Sequence, residues 1–160
     1  MAVATRVIFV VAVVFSLAGV ALAGVALGAG EPLDSSNVDA TVLASDDAWI
    51  VEFQSPRCGS CQEMAPVWGH FVERNKRYVR FGRVNIDTDE GMELARSSGV
   101  IEHGIPSIWA WDVRGSAEPT KIWADFETTT VQHLESLVWS KYAKREEGLP
   151  LAKLDAGVVA

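Results

Sequence analysis

The stretch Ala48-Trp49-Ile50-Val51-Glu52-Phe53-Gln54-Ser55-Pro56-Arg57-Cys58-Gly59-Ser60-Cys61 places both cysteines of the chain at a change of secondary structure. Ala48 to Phe53 is a β-rich apolar run broken by one carboxylate, Glu52. Ser55-Pro56 is a turn signal, so the spacing predicts a buried strand that ends there. From Gly59 to about Tyr78 the apolar residues Met64, Val67, Trp68, Phe71 and Val72 recur at helical spacing. This predicts a helix interrupted by a kink at Pro66, where proline removes a backbone hydrogen bond. Cys58 and Cys61, three apart at the helix start, can reach each other, and a disulfide across so small a ring is strained and reducible. The first thiol also faces the free N–H groups of the helix N-terminus, which favour its thiolate. Cys58 is then the attacking thiolate and Cys61 the resolving thiol, acting through a mixed disulfide with a substrate.

Downstream, Val79 to Asp87 reads as a second strand and Glu90 to Arg96 as a helix that stops near Gly99. Ile108 to Val113 reads as a third strand, Arg114 to Thr120 as a turn and Lys121 to Phe126 as a fourth strand, the last two strands forming a hairpin. Thr128 to Thr130 can cap a final helix, whose Val131, Leu134, Leu137 and Val138 form an apolar stripe through Tyr142. Upstream, Val38 to Leu43 reads as a short strand and Ala44 to Asp47 as a turn or short helix, while residues 24–37 read as a linker. Residues 38–143 form the expected domain and residues 144–160 a mobile tail. The order predicts an α/β fold with helices on the faces of one sheet.

Arg6 is followed by Val7 to Gly30 without an ionisable side chain, and Ala21-Leu22-Ala23 has the small-residue look of a cleavage site. Residues 1–23 are therefore expected to be a cleaved signal peptide. The alternative is an uncleaved anchor over residues 1–30, with residues 7–30 spanning a bilayer of about 30 Å. Both readings leave the rest of the chain on the non-cytoplasmic side, where disulfide chemistry is favoured. The closing Gly157-Val158-Val159-Ala160 is not a KDEL-like signal, so residence in the endoplasmic reticulum is expected to need a partner or an anchor, and secretion is the other outcome.

With 160 residues, 49% of them hydrophobic, one packed domain is expected. The formal charge of −7 argues against nucleic acid as a partner. Two cysteines are too few for a disulfide framework. His70, His103 and His133 form no metal-ligand spacing with the single C-x-x-C, so no metal is expected. Of the six tryptophans, Trp49, Trp109 and Trp111 fall in strands and Trp68 and Trp139 in helices, where core packing is the expected role.

From about Val38 to Tyr142 the chain resembles the thioredoxin superfamily, and within it the catalytic domains of protein disulfide isomerases. The resemblance rests on Val51-Glu52-Phe53, on Ser55-Pro56-Arg57-Cys58-Gly59-Ser60-Cys61, on Ala65-Pro66, on Val84-Asn85-Ile86-Asp87 and on Gly104-Ile105-Pro106-Ser107, in that order. It implies a single thioredoxin-like domain with a central mixed sheet. It also implies that Glu52 is a buried acid passing protons to and from Cys61, its pKa raised by desolvation. Arg83 matches the position of a family cation near that acid. Ile105-Pro106 is implied to be a cis bond beside Cys58, its backbone open to an extended substrate.

Several positions depart from the family pattern. Arg57 replaces a tryptophan and is expected to stabilise the Cys58 thiolate, Gln54 replaces an aromatic, and Gly59-Ser60 differs from the usual intervening pairs. Glu102 and His103 lie in a longer approach to Pro106, where His103 either tunes the site or is a surface histidine. Asp125-Phe126-Glu127 stands where isomerase domains carry an arginine, which puts efficient reoxidation in question. The implied activity is thiol–disulfide exchange on cysteine-containing protein substrates of the secretory pathway. It needs a redox partner but no cofactor beyond the Cys58–Cys61 pair. A non-catalytic, chaperone-like module holding clients beside Pro106 is the alternative.

Overall fold

The computed structural model describes residues 29–111, 118–125 and 129–142. The expected signal peptide or anchor, apart from Ala29 and Gly30, and the expected tail lie outside the described residues. So do Asp112, Val113, most of the hairpin turn, Phe126, Glu127 and Thr128. Among the described residues no helix is long and apolar enough to cross a membrane.

The elements are β1 (Glu31–Pro32), β2 (Trp49–Gln54), α1 (Gly59–Asn75), β3 (Arg80–Asn85), α2 (Asp89–Ser97), β4 (Ser107–Trp111), β5 (Thr120–Ala124) and α3 (Val131–Tyr142). The sheet order is β1-β3-β2-β4-β5, with the first three strands parallel and β4 and β5 antiparallel to their neighbours. This is the mixed sheet of a thioredoxin-like fold. β2 lies at its centre, which is why Trp49 to Phe53 reads as an almost unbroken apolar run: both faces are buried. On one face Ile50, Phe81 and Ile108 pack with Met64, Trp68 and Phe71 of α1 and with Leu134 and Val138 of α3. On the other, Val51, Phe53, Val84, Trp109 and Trp111 pack with Leu94 and Ala95 of α2. Trp49, Trp68, Trp109, Trp111 and Trp123 are buried in these layers, and Trp139 stacks edge-on against Tyr78 at a centroid distance of 6.2 Å.

Two upstream expectations are corrected. Within the expected linker 24–37, Glu31 and Pro32 pair in parallel with Gly82 and Arg83, and the Leu33 N–H donates to the Arg83 carbonyl at 2.8 Å. Leu33 is only 3% exposed, so the packed unit begins before residue 38. The stretch expected as a strand forms a π-helical turn over Asp39–Leu43 instead. Val38 and Val42 are buried while Ala40 between them is exposed, a spacing of four that suits a helical turn and not a strand. α1 runs without a break in its helical assignment from Gly59 to Asn75, with Pro66 inside it.

Helix boundaries follow local chemistry. Thr88 caps α2 by accepting the Gly91 N–H at 3.1 Å. The helix ends at Gly99, whose φ of 68° is left-handed backbone that glycine adopts without strain. Thr130 caps α3 by accepting the His133 N–H at 3.1 Å. The approach to Pro106 is a 3₁₀ turn, Val100–His103, on which His103 meets Lys121 Nζ at 3.1 Å and packs against Trp109.

Candidate active site

Cys58 is the N-cap of α1, with extended backbone at φ −86° and ψ 122°. Its N–H donates to the Ser55 carbonyl at 3.1 Å, so the turn that ends β2 delivers the thiol to the helix start. Its Sγ accepts the Cys61 N–H at 3.3 Å and lies 3.2 Å from Ser60 Oγ. Partial burial opposes ionisation, but the hydrogen bonds from Cys61 and Ser60 outweigh it and hold the Cys58 thiol below its ordinary range. Cys61, one helical turn inside α1, is buried. Desolvation, its hydrogen bond to Cys58 and the nearby Glu52 push its thiol up to about 12. Both cysteines are free thiols.

Glu52 lies on β2, in register with Arg83 of β3 and Ile108 of β4. Its exposure is 3%, and desolvation pushes its carboxyl up to about 8 against the opposing charge of Arg83. A cavity of about 240 Å³ joins Glu52 to Cys61. Buried Glu52, Ser55 and Cys61 and half-buried Gln54 line it, together with exposed Pro56, Gln62 and Ala65. The sheet therefore brings acid and resolving thiol to one space under the helix start.

The peptide bond Ile105-Pro106 is cis. Ser107, the first residue of β4, pairs with Phe53 near the end of β2. Antiparallel register thus puts the Pro106 loop and the cysteine loop at the same end of the sheet. Gly104 enters that loop at φ 76°, again backbone suited to glycine.

Arg57 takes a different place from the one expected. It is 79% exposed, and its Nε donates to Asp87 Oδ2 at 2.9 Å. The interactions that lower the Cys58 pKa come from Cys61 and Ser60, and Arg57 is not among them. A Cβ on Gly59 would meet nothing within 4 Å. Asp87 and Ser55 are residues that sequence reasoning gave no role. Ser55 Oγ donates to Asp87 Oδ2 at 2.8 Å and accepts the Arg57 N–H at 3.1 Å, so one carboxylate ties the cysteine loop to the segment after β3. Among the described residues, no three His, Cys, Asp or Glu side chains gather as a metal site would require.

The family model described as thioredoxin matches residues 31–122. Protein disulfide-isomerase like 2-2 of Arabidopsis thaliana is 41% identical over 61 residues, which is 38% of this chain and 14% of that protein. The protein disulfide-isomerase A6 homolog of Drosophila melanogaster is 40% identical over 76 residues, 48% of this chain and 17% of that one. The chain thus spans less than a fifth of the length of these two relatives. Among solved structures, the Trx4 domain of ERdj5 superposes with a TM-score of 0.56 at 23% identity, covering 71% of this chain and 96% of that one. The J-Trx1 fragment of ERdj5 gives a TM-score of 0.57 at 27% identity, covering 69% of this chain and 49% of the fragment. A C-x-x-C pair capping the first long helix, a cis-proline at the same end of a β1-β3-β2-β4-β5 sheet and the matched family model agree, and the chain belongs to the thioredoxin family of thiol–disulfide oxidoreductases.

Proposed function

We propose that this domain forms, reduces and rearranges disulfides in protein substrates of the secretory pathway, as a unit of the protein disulfide isomerase type. The observation that carries the reading is the asymmetry of the two thiols: Cys58 is partly accessible and inclined to ionise, whereas Cys61 is buried and holds its proton. In the reducing direction the Cys58 thiolate attacks one sulfur of a substrate disulfide. The substrate S–S bond breaks, one substrate thiolate leaves, and a mixed disulfide forms. Cys61 then gives its proton to ionised Glu52 and attacks Cys58 Sγ, which releases the second substrate thiolate. The substrate gains two electrons and the Cys58–Cys61 pair becomes a disulfide. Running backwards, the same steps oxidise a substrate dithiol while Glu52 returns a proton to Cys61.

Glu52 suits this role because a carboxyl titrating near 8 exchanges protons in both directions around neutral pH. The Ile105-Pro106 loop offers backbone for strand-like pairing with an extended client. The reaction suits the endoplasmic reticulum lumen or the cell exterior, where oxidising surroundings sustain disulfides. Insulin reduction and refolding of scrambled ribonuclease test the proposal. Cys58→Ser is expected to abolish both activities, and Cys61→Ser is expected to accumulate mixed disulfide. Activities unchanged in Cys58→Ser would leave only a client-binding role.

A further inference from the structure

The cavity beneath α1 has a polar rim that the exchange reaction by itself does not call for. Gln62 follows Cys61 directly, and its Nε2 donates to the Pro56 carbonyl at 2.7 Å. Pro56 and Gln62 are both exposed and both line the cavity whose buried walls are Glu52, Ser55 and Cys61. A single side-chain hydrogen bond therefore ties the helix to the turn where the cavity meets solvent. Gln54, also on its wall, lines an adjoining pocket of about 350 Å³ that holds Arg83.

We infer that Gln62 is a positioning residue for the proton relay: its carboxamide, latched to the Pro56 carbonyl, narrows the mouth of the Glu52–Cys61 cavity and limits how far water solvates the Glu52 carboxylate. The inference rests on the reading that Glu52 handles the Cys61 proton. Its physics is simple. A buried carboxyl stays protonated because its anion is poorly solvated, so admitting water stabilises the anion and makes the acid stronger. A closed mouth keeps Glu52 largely protonated around neutral pH and so ready to supply Cys61 with a proton, and a client or partner that draws Gln62 away from Pro56 would leave more of Glu52 ionised, and so open to the Cys61 proton, at the same pH. Among the described residues, the charged and titratable groups that bear on Glu52 are Arg83 on β3 and Cys61 on α1, while β4 presents apolar Ile108 opposite it. Gln62 itself carries no charge, so removing it alters solvation without altering the local charge.

The test follows the Glu52 carboxyl by isotope-edited NMR through a pH titration of the reduced protein, with Glu52→Gln used to assign the signal. Alongside it, the pH dependence of the resolving step is measured from the decay of a preformed mixed disulfide at Cys58. In both Gln62→Ala and Gln62→Met, the latter matched in length but without a donor, the Glu52 midpoint is expected to fall by about half a pH unit or more. The pH profile of resolution should fall with it, while the ultraviolet titration of the Cys58 thiolate stays in place. Midpoints unchanged in both variants, or a Gln62→Met profile equal to that of the unsubstituted protein, would overturn the latch. Failure of the underlying relay is distinguishable: in that case Glu52→Gln would leave the pH profile of resolution unaltered with Gln62 in place.

Discussion

Asp87 anchors Arg57, the residue that precedes the nucleophile: its carboxylate takes Arg57 Nε at 2.9 Å while also accepting Ser55 Oγ at 2.8 Å. The pairing keeps Asp87 below the usual carboxylate range, first through Arg57 and then through Ser55. It raises Arg57 in turn. A cation next in sequence to Cys58 thus has its charge directed toward the β3–α2 segment. Asp87→Asn removes the anchoring charge and leaves the guanidinium to respond to the thiolate. The expected outcome is a lower Cys58 pKa, seen in the ultraviolet titration of the thiolate, with the effect diminishing as salt is raised. Asp87→Asn combined with Arg57→Gln should return the titration to its starting place. A Cys58 pKa that ignores Asp87→Asn at low salt would show that the pair has no bearing on the thiol.

Ser60 acts on the same sulfur from within the helix. Its Oγ lies 3.2 Å from Cys58 Sγ, and Ser60→Ala removes that donor while leaving the Cys61 N–H in place. One hydrogen bond to a charged acceptor is worth about 1 to 2 kcal/mol, so the Cys58 pKa should rise by about one unit. Because the thiolate belongs to the reduced state, destabilising it favours the disulfide. The couple should become more reducing by roughly 10 to 30 mV, measured by equilibration with glutathione.

Burial of Glu52 makes a prediction about stability. Its folded carboxyl titrates near 8, well above its ordinary value of 4.5. The favourable contribution is thus fully present below about 4.5 and is lost as pH rises toward and through 8, where the folded state must hold a buried anion. At about 1.4 kcal/mol per pKa unit, the loss across this window approaches 5 kcal/mol as an upper bound. Glu52→Gln should therefore be more stable than the unsubstituted protein above pH 8 by a few kcal/mol, and its stability should vary less with pH, as urea titrations would record. The same variant should slow resolution of the mixed disulfide by about 10-fold or more, since the proton acceptor is gone. A gain in stability together with a loss in rate is the signature expected of a group retained for chemistry.

The parts of this site that the sequence made legible are those whose partners lie within one turn of chain or within a motif of fixed spacing. Cys58 and Cys61 met because both sit at one helix start, and Glu52, inside the apolar run from Ile50 to Phe53, was implied by the resemblance to be a buried acid, and it is buried. The Ile105-Pro106 bond was expected to be cis from resemblance, and it is. What escaped depends on contacts between distant segments. The destination of Arg57 is set by Asp87, thirty residues away, and no local pattern ranks that carboxylate against the nearer thiol. Gln62 escaped because an exposed glutamine on a helix ordinarily faces water, and only the carbonyl of Pro56 gives it a direction. β1 escaped for a third reason. Glu31 and Pro32 are too few to carry a period, and their pairing is dictated by the edge of β3, where Gly82 leaves space.

That space yields a test of where the domain begins. A Cβ on Gly82 would strike the side chain of Leu33 and would come within 3.2 Å of Val51 Cγ2. Leu33 is nearly fully buried and is held by its N–H bond to Arg83, so it cannot yield without lifting the edge strand away from β3. Gly82→Ala should therefore destabilise the protein by about 1 to 3 kcal/mol, as overpacking of a filled core does. Leu33→Ala alone should cost about 2 to 5 kcal/mol through the cavity it leaves. Since the added methyl would occupy part of that cavity, the double variant should be more stable than the sum of the two costs predicts, by about 1 kcal/mol or more. Strict additivity in urea unfolding would mean that Leu33 does not pack over Gly82, and a Leu33→Ala variant as stable as the unsubstituted protein would mean that the folded unit starts downstream of β1.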